Sequence, residues 1–228
     1  KGDKMKKQVL VIGLGRFGSS VVRSLYNTGN DVLAIDIEGS RVANIMTQAT
    51  HALTADATNE TVLKDLGVQD YDAAIVAIGS NIVPSIMASV LLKTMGVPYI
   101  VARASNELHG NTLERIGVDK IIHAENEMGV RLGHNLFNPN VQEYLEVTPS
   151  YGISKMKIPT NFIDKTLKEL GFSNPRDKYG LAVIAIRRSD TDITLNPDIN
   201  DRLQAGDWLI FAGKDELIDQ IEIADWLN

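Results

Sequence analysis

Gly13-Leu14-Gly15-Arg16-Phe17-Gly18 is a GxGxxG run that ends an apolar stretch, Gln8 to Ile12. Alone, such a run says little. Here it follows a strand pattern and opens a helical one, and Asp36 lies about 20 residues on, at the end of the next strand. That is the fingerprint of a dinucleotide-type site. Gly13 allows the tight turn out of the strand, Gly15 lets phosphate approach the backbone, and Gly18 lets the helix pack closely on the sheet. The helix start then offers free N–H groups and partial positive charge to an anion. Asp36 would accept hydrogen bonds from ribose hydroxyls and repel a 2′-phosphate, which disfavours NADP. The competing reading is a glycine turn with an exposed aspartate and no ligand. Arg16 sits inside the loop, where a bidentate cation suits extra phosphate charge, although a solvated arginine at a helix start would look the same.

Other residue patterns promise less. Tyr151 and Lys155 match the Tyr-x-x-x-Lys pair of short-chain dehydrogenases. That pair needs a helix, whereas Gly152 and the alternation around it read as strand. The glycine loop of those enzymes is also of another type. The four histidines, His51, His109, His123 and His134, have no catalytic spacing. With no cysteine in the chain, disulfides, thiolate metal sites and cysteine nucleophiles are excluded.

The elements that would hold the site alternate strand and helix up to about residue 137. Strands are expected at Gln8–Ile12, Val32–Ile35, His51–Leu53, Ala73–Ile78, Tyr99–Ala102 and Ile121–Ile122. Helices are expected at Arg16–Tyr26, Gly39–Met46, Thr58–Leu66, Ile82–Met95, Glu107–Ile116 and Met128–Phe137. Such alternation implies a doubly wound parallel sheet covered on both faces. The pattern changes at Asn138-Pro139-Asn140, which reads as a linker. Strands then follow at Glu143–Val147, Ile153–Ile158, Leu181–Ile186 (buried), Asp192–Leu195 and Trp208–Ala212, with helices at Asp164–Leu170 and Glu216–Ile223. The expectation is an α/β chain: a Rossmann-type domain over residues 5–137, then a small α+β domain over 138–228. Residues 1–4 read as a leader.

The 228 residues carry a net charge of −6, which argues against nucleic acid as the main partner. No apolar run approaches the roughly 18 residues that span a bilayer. The chain therefore reads as a soluble, cytosolic protein.

Several longer motifs add to the glycine loop: VIGLGRFG (Val11 to Gly18), AIDI (Ala34 to Ile37), ADAT (Ala55 to Thr58) and VAIGSN (Val76 to Asn81). Further along stand ERIGVDKIIHAENEMG (Glu114 to Gly129), KYGLAVIAIRR (Lys178 to Arg188) and AGDWLIFAG (Ala205 to Gly213). Together they resemble the RCK (KTN) proteins, regulatory subunits of bacterial potassium uptake systems of the Ktr and Trk kind. The resemblance covers nearly the whole chain and implies an RCK_N domain followed by an RCK_C domain. It implies no catalysis, but a homo-oligomer, a dimer assembling to an octameric ring, on the inner face of the membrane against a potassium-transporting subunit. ATP would activate it and ADP inactivate it, with an NAD(H)-sensing regulator or, more remotely, an NAD-dependent oxidoreductase as alternatives.

Carried over by motif, Gly13, Gly15, Arg16, Phe17 and Gly18 belong to the phosphate loop, and Arg16 reaches the terminal phosphates. Asp36 holds the ribose, Asp56 and Ala57 lie near the adenine, Gly79 and Asn81 line the loop after the fourth strand, and Arg103 stands where the family has a basic residue at the end of the fifth. Glu125 resembles a glutamate that reaches Mg²⁺ or Ca²⁺ beside ATP from a neighbouring subunit. Glu125 and Glu127 equally suit the start of a helix, where the dipole favours acids. In the second domain, Phe162, Ile163, Arg176 and Pro197 fall in segments where some relatives bind cyclic di-AMP. The loop Ser173 to Asp177 departs from the usual pattern, and an ordinary dimer interface fits these residues as well.

Overall fold

The computed structural model describes residues 6–79, 81–136, 141–148, 150–172 and 180–218. The chain divides into two compact units that meet at Glu125/Asn126. The linker expected at residues 138–140 lies outside the described residues, as does residue 1–4 of the expected leader.

The first unit is built on six strands: β1 (Gln8–Ile12), β2 (Asp31–Asp36), β3 (His51–Thr54), β4 (Ala73–Val76), β5 (Ile100–Arg103) and β6 (Lys120–Ile122). They form one sheet in the order β3-β2-β1-β4-β5-β6, every pairing parallel. This is the Rossmann-type, doubly wound order. Ile12 is in register with Ile35 on one side and Val76 on the other. After β3 the chain crosses back past β1 to lay down β4, so the connections out of β1 and β4 leave in opposite directions. A crevice opens at the carboxyl ends of the strands at such a switch point.

Period-two alternation along β1 explains why both sheet faces are apolar. Leu10 and Ile12 join Leu33, Ile35, Leu63, Val76, Leu92, Ile100 and Leu113 in one buried cluster. Val9 and Val11 join Val22, Val32, Ala34, Val42 and Ile45 in another. The helices covering these faces are α1 (Arg16–Asn27), α2 (Gly39–Ile45), α3 (Glu60–Asp65), α4 (Ile82–Thr94) and α5 (Glu107–Ile116). Asparagines start three of them: the side chains of Asn59, Asn81 and Asn106 accept backbone N–H groups at the N-termini of α3, α4 and α5. α6 (Ala124–Leu136) carries the chain across the division between the units.

The second unit is a five-stranded antiparallel sheet in the order β10-β9-β11-β8-β7. Its strands are β7 (Val141–Thr148), β8 (Tyr151–Lys157), β9 (Ala182–Arg187), β10 (Ile193–Leu195) and β11 (Trp208–Lys214), with a one-turn helix α7 (Leu167–Leu170). Met156, Phe162, Ile186, Leu203, Leu209 and Phe211 fill its core. Residues 215–218 are helical, and the rest of the expected closing helix lies outside the described residues.

Several elements differ from expectation. β9 is expected to be buried throughout, yet within it only Ala185 and Ile186 are, while Ala182 and Ile184 are exposed. α7 is shorter than the Asp164–Leu170 expected. Asp164 has a left-handed backbone (φ 63°), and Thr166 forms a capping box with Glu169 that fixes the helix start. α6 begins at Ala124 rather than Met128, so the acidic pair Glu125 and Glu127 stands in its first turn.

Candidate functional site

A cavity of about 1170 Å³ opens at the switch point, beside the carboxyl ends of β1, β2 and β4. Its wall includes Gly13, Gly15, Arg16, Asp36, Asp56, Ala57, Gly79, Asn81 and Arg103, nine residues singled out from the sequence. Phe17, Gly18 and Glu125 stand outside that lining.

The three glycines of the loop do different things. Gly13 turns the chain with φ 93°, and a Cβ there would press within 3.1 Å of Ala77 and Ile78. A Cβ on Gly18 would run into the Gly13 carbonyl oxygen and lie 3.1 Å from the Ala77 Cβ, so α1 can sit this close to β1 and β4 only without a side chain. Gly15 caps α1 in extended conformation, and a Cβ there would meet nothing within 4 Å. Its bareness is not needed for packing; it leaves room on the cavity side. No side chain caps α1, and its first turn holds no acid. The orphan N–H groups and positive dipole end therefore remain available to an anion.

Asp36 is buried, against the alternative of an exposed aspartate. Its Oδ2 accepts the Leu14 N–H at 2.6 Å and its Oδ1 accepts the Glu38 N–H at 2.8 Å. The carboxylate thus ties the glycine loop to the end of β2. A carboxylate has about four acceptor positions, so capacity for ribose hydroxyls is left. Arg41 on α2 stands 3.5 Å from Asp36 Oδ2 and 2.8 Å from Glu38 Oε1. Asp56 accepts both the backbone N–H and the hydroxyl of Thr58, at 2.9 and 2.7 Å. Those bonds hold its carboxyl below the ordinary range.

The far wall is built around Arg103, at the end of β5. Its guanidinium carbon lies 6.0 Å from the Phe17 ring centroid. The guanidinium also fills the space a side chain on Gly79 would need. Arg103 Nη2 donates to Glu125 Oε1, and Nε reaches Oε2 at 3.4 Å. That bonding holds the Glu125 carboxyl below its ordinary range, and the charge of Arg16 adds to the effect. Arg103 and Glu125 are thus paired, and Arg16 lines the same cavity as Arg103. No group of three or more His, Cys, Asp or Glu that could hold a metal occurs among the described residues.

Two arginines of the cavity wall were not singled out from the sequence: Arg41 and Arg23, the latter hydrogen-bonded to Gln48. With Arg16 and Arg103 they give the wall four arginines against Asp36, Glu38 and Asp56, in a chain that is acidic overall. The signal was present: Arg41 lies at the start of the helix after Asp36, and Arg23 lies two turns past Arg16 on one helical face.

Tyr151 and Lys155 do not make a catalytic pair. Both lie on β8, where four residues span about 13 Å. Lys155 instead pairs with Glu143 at 3.1 Å and stands 5.1 Å from the Trp208 ring centroid. In the same unit Ile163 and Pro197 are half-buried, Phe162 is a core residue, and Arg176 lies outside the described residues.

Comparison with known proteins bears on the same two units. Residues 9–124 match the TrkA-N domain and residues 154–222 the TrkA-C domain. The chain belongs to the TrkA family. Within this family it is similar to the Ktr system potassium uptake proteins A and C. It is 38% identical over 221 residues to the Ktr system potassium uptake protein A of Bacillus subtilis (strain 168), covering 97% of this chain and 98% of that one. To protein C of the same system and organism it is 37% identical, covering 96% and 97%. Among solved structures, the TrkA-type fold recurs in the GsuK channel bound to NAD, with a TM-score of 0.63 and 16% identity. That match takes in 97% of this chain and 40% of the channel chain, and at this identity it speaks for fold alone. No described helix is long and apolar enough to cross a membrane.

Proposed function

We propose that this chain is a nucleotide-gated regulatory subunit of a potassium transporter, switched towards activity by ATP and away from it by ADP. One observation carries the reading: Arg16 and Arg103 line the same cavity as a bare Gly15 and an uncapped helix start. A nucleoside on Asp36, with Asp56 and Ala57 beside its base, would run its phosphates over Gly15 towards these arginines. The longer the phosphate chain, the more charge meets them, and that gives the site a way to tell ATP from ADP. Gly79 and Asn81 close the other side. Glu125, from this chain or a neighbouring one, would approach phosphate only through a divalent cation such as Mg²⁺ or Ca²⁺, because bare carboxylate and phosphate repel.

Gating of this kind needs no hydrolysis. Moving an equilibrium from 1:99 to 99:1 takes roughly 5.5 kcal/mol, about 0.7 kcal/mol per site in an octameric ring. A single charge-assisted contact at each site supplies that much. The subunit would work in the cytosol, as a homo-oligomer on the inner face of the membrane against a Ktr/Trk-type potassium-transporting partner. Half-buried Ile163 and Pro197, with Arg176, are the residues we assign to cyclic di-AMP in the second unit.

NAD(H) is the second reading, favoured by the same fold in the NAD-bound GsuK channel. Displacement of a fluorescent ATP analogue by ATP, ADP, NADH and NADPH, with and without Mg²⁺, separates the two. Competition by ATP and ADP well ahead of NADH upholds nucleotide gating. NADH ahead of both overturns it.

A further inference from the structure

Glu125 presents a carboxylate to the two cations assigned above to the ligand's phosphates. It is bonded to Arg103 through two donors, and Arg16 is near enough to stabilise its charge. A carboxylate and a phosphate oxygen use the same guanidinium fork. Arg103 has little freedom to serve both. It is held on one side by the Phe17 ring and on another by the Gly79 backbone, where no side chain fits beneath it. Its own side chain is only 19% exposed, whereas that of Glu125 is 68% exposed. The arginine is thus a fixed post and the glutamate the movable partner.

We propose that Glu125 is an internal competitor for nucleotide phosphate: its pair with Arg103 must open before phosphate can take the guanidinium. Opening the pair frees the second residue of α6, the helix that carries the chain into the second unit. Phosphate arrival at the glycine loop is thereby converted into release of a helix start. The same carboxylate would change sides when a divalent cation is present, since the cation attracts both it and the phosphate.

This inference rests on the nucleotide reading, and the test separates the two. ATP binding to the full chain is measured by calorimetry in EDTA, so that no cation bridges Glu125 to phosphate, with adenosine as the probe lacking phosphate. The variants are Glu125→Gln, Arg103→Gln and the double substitution. An exposed ion pair is worth up to about 1 kcal/mol, so Glu125→Gln is expected to tighten ATP binding about two- to five-fold and leave adenosine unchanged. In the Arg103→Gln background the same substitution is expected to give no gain. If Arg103→Gln does not fold, Arg103→Lys replaces it in the cycle, with the gain reduced because lysine lacks the fork. An equal gain in both backgrounds overturns the proposal, because removing a negative charge then acts through space and not through Arg103. ATP binding by the wild type with no gain in Glu125→Gln also overturns it and leaves the nucleotide reading standing. Failure of the wild type to bind ATP overturns both.

Discussion

Two glycines three residues apart in the same loop should respond oppositely to alanine. At Gly15 the backbone is extended (φ −68°) and a Cβ meets nothing within 4 Å. Gly15→Ala therefore costs the fold nothing, and by restricting the unfolded chain it should stabilise by about 0.4–1 kcal/mol. The added methyl group would stand in open space that we assign to phosphate. Losing one charge-assisted bond of about 1.5–3 kcal/mol should weaken ATP binding roughly ten- to hundred-fold. At Gly18 a Cβ would overlap the Gly13 carbonyl oxygen and crowd Ala77. Neither neighbour is the end of a flexible side chain, so α1 must move. Overpacking of this kind costs about 1–3 kcal/mol, and a lowering of the melting temperature by about 2–12 °C is expected. The assay is a thermal melt of each variant paired with displacement of a fluorescent ATP analogue. Gly15→Ala with an unchanged melt and wild-type ATP affinity would refute the assignment of this loop to phosphate. A stable Gly18→Ala would refute the packing argument.

Arg16→Ala should bring the affinities of ATP and ADP closer together while leaving adenosine binding intact; an unchanged ATP/ADP ratio in displacement experiments would show that Arg16 does not read the terminal phosphate. Asp36→Ala should cost about 1–3 kcal/mol in urea unfolding because the buried Leu14 N–H loses its acceptor, and Asp36→Asn should recover part of it. His109 is buried, with Nδ1 facing the Ser105 N–H at 3.2 Å and no hydrogen-bond partner for Nε2 among the described residues. Burial pushes its pKa down. Above pH about 6.5 the ring is neutral folded or unfolded; below it the unfolded chain takes up a proton that the folded chain resists, so stability should fall as pH drops. His109→Gln should flatten that slope in urea midpoints taken between pH 7.5 and 5.5. In the second unit, Phe211→Ala removes a fully buried ring and should cost about 3–5 kcal/mol by calorimetric unfolding.

The alternation of apolar strands with capped helices made the parallel sheet legible, and the GxGxxG run with Asp36 placed the cavity wall. These signals are local: each strand declares itself within a few residues, and the glycines by their spacing. Element edges were less legible where capping decided them. Asn59, whose side chain accepts the Thr61 N–H, starts α3 later than the Thr58 expected, and the capping box of Thr166 with Glu169 starts α7 later than the Asp164 expected. What the sequence hid was pairing across the sheet. Nothing local connects Arg103 with Glu125, or Leu14 with Asp36, because those partners meet only after β2 lies beside β1 and β6 beside β5. The Rossmann fingerprint suggests a carboxylate waiting for sugar and is silent about the bond it already makes to its own loop.

That bond bears on how the site can change over generations. A carboxylate that only met ribose could be exchanged for a small neutral residue, and the pocket would then drift towards ligands phosphorylated on the sugar. Here a replacement without an acceptor unties Leu14 and slackens the turn on which phosphates would rest. Arg41, already in place, could welcome such a ligand, yet the route to it runs only through a residue that, like asparagine, still accepts the amide of Leu14, or through another acceptor that first takes it over.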